Sequence, residues 1–295
     1  MADVGRSQEE AARARAVEFW RHYDEMEARL TRPVSERMLD LGRVSTGRRV
    51  LDVASGRGEP ALPAAHRVGP QGWVLATDLV DGVLQMARER ASQEGLKNIE
   101  FRATDAESLD VGEGVFDVAT VRWGLMYMPE PERALASIHR ALKPGGALVI
   151  ASWVEPARVP YASLPRRILE RYRDVPPLPG SDCPGVFRHA NRADLEAALL
   201  RNGFSVEATE ELEIPVVEAR DGRGIVEWVR ALGGPLMKLL AELPEQQQRA
   251  WEADLCRELE QSRIGAKVFL GGVTRLTCAR AREDWRRPQA SPCEP

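Results

Sequence analysis

The stretch Arg49-Val50-Leu51-Asp52-Val53-Ala54-Ser55-Gly56-Arg57-Gly58-Glu59-Pro60-Ala61-Leu62 reads as a strand that breaks into a glycine turn and then enters a helix. Val50, Leu51 and Val53 form the short apolar run of a parallel strand covered on both faces. Gly56 and Gly58 let the backbone turn sharply and approach a ligand. Pro60 suits a first helical turn, where its missing N–H costs nothing. Free N–H groups at that helix start would face a ligand's negative group, so the chemistry is expected at the carboxyl end of the strand.

Working outward, strands and helices alternate. Trp73 to Thr77 is a second strand closed by Asp78, and Val83, Leu84 and Ala87 mark a helix ended by Gly95. Ile99, Phe101 and Ala103 alternate as a third strand that stops at Thr104-Asp105-Ala106. Phe116 to Val121 is a fourth, running into Arg122-Trp123-Gly124-Leu125-Met126. Pro131, Leu135, Ile138 and Leu142 give a helix, Lys143-Pro144-Gly145-Gly146 a turn, and Ala147 to Trp153 a fifth strand. Such alternation predicts an α/β doubly wound parallel sheet with right-handed crossovers.

Upstream, Phe19, Tyr23, Met26 and Leu30 recur at helical spacing, and Thr31-Arg32-Pro33 is expected to separate this helix from a second one carrying Val34, Met38 and Leu41. These helices either cover the site or pack on the sheet edge. Downstream, prolines punctuate Glu155 to Pro184, which reads as irregular. Asp194 to Asn202 is a helix, Ser205 to Ile214 a strand, Ile225/Val229/Leu232 and Trp251/Leu255/Leu259 mark two amphipathic helices, and Lys267 to Ala281 is the last strand region, interrupted at Gly271-Gly272. The organisation expected is an N-terminal helical cap (1–46), a cofactor-binding core (47–154), an irregular lid segment (155–190), a core helix and strand (191–215), a helical lid insertion (216–264), the last core strand region (265–285) and a flexible tail (286–295).

The 295 residues carry a formal charge of −4, which offers no global basic field for nucleic acid. The four cysteines, Cys183, Cys256, Cys278 and Cys293, form no CxxC pair, and no His/Asp/Glu cluster has metal-ligand spacing, so no metal is expected. The charged N-terminus lacks an apolar leader segment and no run is long enough to span a membrane, which predicts a cytoplasmic protein, monomeric or homodimeric.

Gly56-Arg57-Gly58-Glu59-Pro60-Ala61 satisfies G-x-G-x-x-[G/A], so a dinucleotide stays open on that motif alone. Its surroundings add three acids, Asp52, Asp78 and Asp105, at three successive strand ends, a pattern suited to a cationic cofactor without a pyrophosphate. Asp78, about twenty residues past the glycines, is placed for a ribose diol.

On Leu51-Asp52-Val53-Ala54-Ser55-Gly56-Arg57-Gly58, Ala76-Thr77-Asp78, Thr104-Asp105-Ala106 and Lys143-Pro144-Gly145-Gly146, the chain resembles a class I S-adenosylmethionine-dependent methyltransferase of the small-molecule group that includes the ubiquinone/menaquinone C-methylases. The resemblance runs from Val50 to Trp153. It implies a Rossmann-like seven-stranded sheet whose last strand, near Val268 to Ala281, is inserted antiparallel. It implies that the Ala54, Ser55, Gly56 and Gly58 backbone holds the cofactor's methionine part with Asp52 near its amino end, that Asp78 holds the ribose, and that Leu79, Asp105 and Ala106 meet the adenine. Arg122 would line the methionine pocket. Ala54 stands where the family usually has glycine, and alanine there is expected to keep φ below zero.

A sulfonium methyl is already activated, so the protein's task is to align a nucleophile and exclude water, with a general base for a phenol or alcohol. His22, Tyr23 and His189 are the candidates for base or substrate contact; His66 and His139 read as structural. Trp20, Trp123, Met126, Trp153 and Tyr161 form the expected substrate pocket, which suits an aromatic or polyketide-like acceptor. After the fourth strand there is no Asn/Asp-Pro-Pro-Tyr/Phe motif of the kind that holds planar nitrogens in DNA and protein methylases. The expected function is therefore methyl transfer from S-adenosylmethionine to an O, C or N atom of a small metabolite, in secondary metabolism. Its rivals are a non-methylating enzyme using the same cofactor, such as a cyclase, an NAD-dependent oxidoreductase, and a non-enzymatic binding protein.

Overall fold

The computed structural model describes residues 2–285, apart from the side chains of residues 2–17 and of Trp20. The expected tail at 286–295, which includes Cys293, and the expected pocket role of the Trp20 ring lie outside the described residues.

The described residues divide into two units: a core unit of residues 35–152, 191–210 and 275–285, and a helical unit of residues 2–34, 153–190 and 211–274. The central strand β1 (Arg49–Val53) pairs in parallel with β2 (Trp73–Asp78) on one side and β4 (Phe116–Arg122) on the other; β2 pairs with β3 (Ile99–Ala103) and β4 with β5 (Leu142–Trp153). The sheet order is β3-β2-β1-β4-β5-β8-β6, with β6 (Phe204–Ala219) at the edge, β8 (Lys267–Ala281) inside it, and the two-residue β7 (Arg263–Ile264) off the path against β8. The beginning of β6 meets the end of β8, where Arg282 N–H donates to the Gly203 carbonyl at 2.8 Å, and the later Ile214 lies against the earlier Gly271. The two strands therefore run in opposite directions, as expected for the inserted strand.

Alternation along the strands builds the core. Leu51, Val53, Leu75, Phe116, Ala119 and Val121 point to one face of the sheet, where they pack with Leu135 and Ile138 of α4 (Pro131–Ala141). Val50, Val74, Ala76 and Val118 point to the other, where they meet Ala61, Ala65 and Val68 of α2 (Ala61–Val68); α3 (Asp81–Gln93) follows β2 and α6 (Arg192–Arg201) precedes β6 in the chain. Each fully buried Val or Leu contributes about 1.5–3 kcal/mol of hydrophobic stabilisation, so this two-faced burial fixes the register and holds the strand ends level.

Several elements differ from expectation. The N-terminal segment is one helix, α1 (Ala2–Leu41), that passes through Pro33. Pro33 lies on the exposed face while Leu30, Thr31, Val34, Ser35 and Met38 are buried, so burial on either side of the proline outweighs its lost hydrogen bond. Thr31 Oγ1 donates to the Glu27 carbonyl at 2.9 Å one turn earlier. Pro60 caps α2 from outside rather than entering its first turn. Lys143 to Gly146 is not a turn before β5 but a bulge within it: Phe116 pairs with Leu142 and Val118 with Ala147, with Gly145 at φ 72°. The segment expected to be irregular contains α5 (Pro160–Leu169), with Pro160 in its first turn. Strand β8 continues through Gly271 and Gly272, where side chains would strike Ile214 and Val159.

In the helical unit, α7 (Gly222–Leu232) and α9 (Glu245–Leu259) match the two amphipathic patterns, with Trp228 and Trp251 buried. A short α8 (Pro235–Ala241) lies between them in sequence. Trp251 Nε1 donates to the Pro165 carbonyl of α5 at 3.0 Å, and a Cβ on Gly222 would come within 2.8 Å of the Cys256 carbonyl oxygen, so α7 and α9 approach closely at that glycine. No helix among the described residues is long and apolar enough to cross a membrane.

Candidate functional site

The carboxyl ends of β1, β2, β3 and β4 open onto a cavity of about 390 Å³ in the core unit. Pairing of Val53 with Thr77, Asp78 with Ala103 and Asp52 with Thr120 sets these ends level, which brings the three strand-end acids to one place. Six of the expected cofactor residues line the cavity: Ala54, Asp78, Leu79, Asp105, Ala106 and Arg122. Asp52, Ser55, Gly56 and Gly58 do not.

Asp78 organises the glycine turn. Its Oδ2 accepts the Gly56 N–H at 2.8 Å and its Oδ1 accepts the Val80 N–H at 2.9 Å. A carboxylate has about four acceptor sites, so lone pairs remain for a diol. Burial raises the Asp78 pKa, opposed by the N–H groups of Val80, Gly56 and Leu79. Gly56 has φ 55° and open space where a side chain would stand, whereas a Cβ on Gly58, at φ 94°, would strike Leu62. One glycine thus leaves room for a ligand and the other lets helix α2 pack close.

Ala54 corrects the sequence reading. Its φ is +55°, in the left-handed region expected to exclude alanine. A Cβ on Gly124 would stand 2.4 Å from the Ala54 methyl. The methyl is thus accommodated by a glycine on the adjoining strand end, next to Trp123, which itself has φ 56°.

Asp52 is fully buried, and Thr120 Oγ1 donates to its Oδ1 at 2.6 Å. Among the described residues its Oδ2 has no hydrogen-bond partner. Burial raises its pKa to about 6 against the pull of Thr120, Ser55 and the Arg122 charge. Arg122 Nε donates to the Glu59 carbonyl at 3.1 Å, and its guanidinium lies 4.7 Å from the Trp123 ring centroid. Burial lowers the Arg122 pKa despite the nearby charges of Glu59 and Asp52. Glu59 is held in turn by Ser35 Oγ at 2.9 Å and Arg90 at 3.3 Å. Asp105 Oδ1 accepts the Glu107 N–H at 2.9 Å, which fixes the single-turn helix after β3.

Sequence reasoning missed Glu107, Tyr127, Met128 and Pro129, which also line the cavity. The signal available was the position of Tyr127-Met128-Pro129 just beyond strand four. Among the expected substrate residues, Trp123 lines the cavity and Met126 is buried away from it. Trp153 is buried in the helical unit with its ring 4.8 Å from Tyr161. His22, Tyr23 and His189 also belong to the helical unit: His22 is exposed and edge-on to Tyr23 at 4.6 Å, and His189 is buried. His66 pairs with Glu94, and His139 packs against Phe204 and Trp285.

The cavity suits S-adenosylmethionine: Asp78 and Asp105 on its lining answer a diol and an amino group, and the buried Asp52 on the adjoining strand, with an oxygen unpartnered among the described residues, answers a cationic end. The family model described as the ubiE/COQ5 methyltransferase family matches residues 19–168. The chain belongs to that family. The resemblance to the ubiquinone/menaquinone C-methylase group read from the sequence motifs is thereby shown as family membership.

A UbiE ubiquinone/menaquinone biosynthesis C-methyltransferase of Pseudomonas putida is 39% identical over 119 residues, 40% of this chain and 46% of that protein. The aklanonic acid methyltransferase DauC of a Streptomyces species is 34% identical over 130 residues, 44% of this chain and 59% of that one. The chain thus spans about half the length of the curated relatives it matches. Among solved structures, the BH2331 protein of Bacillus halodurans superposes with a TM-score of 0.56 at 19% identity over 84% of this chain and 98% of its own. The [4+2]-cyclase SpnF does so at 0.54 and 20%, over 85% and 80%. At these identities the likeness shows the fold.

Proposed function

We propose that this methyltransferase transfers the methyl group of S-adenosylmethionine to an O, C or N atom of a small aromatic or polyketide-like metabolite. The observation that supports this most is the single cavity in which Asp78 and Asp105 stand at level strand ends with Asp52 behind them. When bound, the cofactor supplies a methyl group already activated by the sulfonium charge. Asp78 binds the ribose hydroxyls, Asp105 and the Ala106 backbone bind the adenine edge beside Leu79, and the Ala54 to Gly58 turn holds the methionine end with Asp52 and Arg122 behind it. The protein then has to position the acceptor and exclude water, tasks assigned to Trp123 at the cavity. His22, Tyr23 and His189 are the proposed bases for an acceptor that must lose a proton.

The polyketide-like acceptor is supported by the likeness to DauC and by the aromatic residues near the strand ends. We place the protein in the cytoplasm, in secondary metabolism, as a monomer or homodimer. The test is incubation with S-adenosylmethionine and a panel of aromatic polyketides, quinols and phenols, with S-adenosylhomocysteine and methylated product measured together. Equal yields of the two support methyl transfer. Acceptor conversion without S-adenosylhomocysteine would indicate a cyclase-like reaction, and hydride transfer with NAD an oxidoreductase.

A further inference from the structure

His139 lies in the last turn of α4, where the helix dipole ordinarily favours an imidazolium. Its ring contacts two aromatic side chains: Phe204, at the start of β6, edge-on at 5.1 Å, and Trp285, four residues past the end of β8, at 4.5 Å. Trp285 fits there because residue 203 is glycine, at φ 83°; a Cβ at that position would stand 2.4 Å from the indole ring. The Gly203 carbonyl also accepts the Arg282 N–H at 2.8 Å, so one glycine seats the indole and ties down the chain after β8.

Among the described residues the His139 Nε2 is buried and has no hydrogen-bond partner. An aromatic ring attracts a cation only weakly, which does not offset the removal of a charge from water with no acceptor in reach. His139 and Trp285 line a cavity of about 660 Å³ that shares no residue with the cofactor cavity. The charged groups on it are Arg140 of α4, Lys143 of β5, Arg282 and Glu283 after β8, and Glu113 before β4. Arg140 donates to the Leu109 carbonyl at 2.6 Å, Lys143 pairs with Asp117 at 2.8 Å and Arg282 with Asp284 at 3.3 Å. Glu113 and Glu283 are exposed, so water screens them. Burial accordingly lowers the His139 pKa, with the Arg282 charge acting the same way and the backbone of Arg282 and Gly203 opposing.

We propose that His139, Phe204 and Trp285 form a pH-sensitive latch: neutral His139 holds the Trp285 indole and keeps residues 282–285 against α4, and protonation of His139 releases it. The closed latch is the proton-poor state. It is therefore fully formed above the ordinary histidine value of 6.5 and opens as pH falls below it. The latch does not depend on the methyltransferase reading.

The test is fluorine nuclear magnetic resonance of the full chain labelled with fluorotryptophan, titrated from about pH 8 to about pH 5, across the range in which histidine changes charge. Wild type and His139→Gln are compared, and single Trp→Phe variants identify the signals. The Trp285 signal of the wild type is expected to move towards its solvent-exposed position with a midpoint below pH 6.5. The signals of the fully buried Trp228 and Trp251 should stay fixed and show that the fold persists. In His139→Gln, whose amide gains no proton in this range, the Trp285 signal should not move. A wild-type Trp285 signal that is constant, that moves equally in His139→Gln or that becomes more shielded from solvent at low pH would overturn the latch. Movement of Trp228 and Trp251 together with Trp285 would mean unfolding of the whole chain and would overturn it as well.

Discussion

At the scale of single residues, Asp52 carries a charge whose state depends on what occupies the site. Burial raises its pKa from 3.8 to about 6. The sign follows directly. The folded chain holds this proton more tightly than the unfolded chain, so its contribution to stability is full below about pH 3.8 and is lost as pH rises through about 6. A cationic ligand prefers the ionised carboxylate, so the affinity for S-adenosylmethionine should rise with pH through about 6, with a proton released on binding below that point. Calorimetry in buffers of different ionisation heat measures the released proton, and Asp52→Asn should abolish it. A pH-independent affinity in the wild type would count against this role. Ala54 and Gly124 form a second residue-scale pair. Gly124→Ala places a Cβ 2.4 Å from the Ala54 methyl and should destabilise the core by about 1–3 kcal/mol in chemical denaturation. Adding Ala54→Gly should restore most of that loss, because it removes the colliding methyl; independent, additive effects would show that the contact is not the cause.

At the scale of elements, β1, β2 and β3 were legible because each is a short apolar or alternating run with an acid at its carboxyl end, and parallel pairing leaves little choice of register. The N-terminal helix was misread because local rules stop a helix at Pro33, whereas burial of Leu30 and Thr31 before it and Val34 and Met38 after it carries the helix through. If packing alone overrides the proline, Pro33→Ala should stabilise the protein by about 1–2 kcal/mol, the part of the helix-interior penalty not offset by a freer unfolded chain. A rise in the urea midpoint at unchanged slope would confirm this. A fall would mean that the fold requires the local geometry proline imposes. Strand β5 shows the same kind of error: Lys143-Pro144-Gly145-Gly146 has turn composition, but pairing of Leu142 with Phe116 draws it into the strand as a bulge.

At the scale of the whole molecule, the division into two units marks how far sequence reasoning reached. Six of ten expected cofactor residues line one cavity of the core unit, because the acids sit at fixed points of a periodic pattern. Tyr127 and Glu107 were not legible as lining residues: both sit in the connections after β4 and β3, where no sequence period operates. The candidate bases His22, Tyr23 and His189 come from the helical unit, whose elements are specified by long-range packing such as that of Trp251 on α5. Family membership and the cavity converge on one claim, that this core binds an adenosyl sulfonium cofactor. The most direct measurement is calorimetric titration of the full chain with S-adenosylmethionine, S-adenosylhomocysteine and NAD in parallel, repeated on Asp78→Ala. Both adenosyl ligands should bind and NAD should not, with the substitution costing about 1.5–3 kcal/mol, the loss expected for charge-assisted hydrogen bonds. Binding of NAD alone would contradict the account and return Gly56 to Ala61 to the dinucleotide motif that it also satisfies.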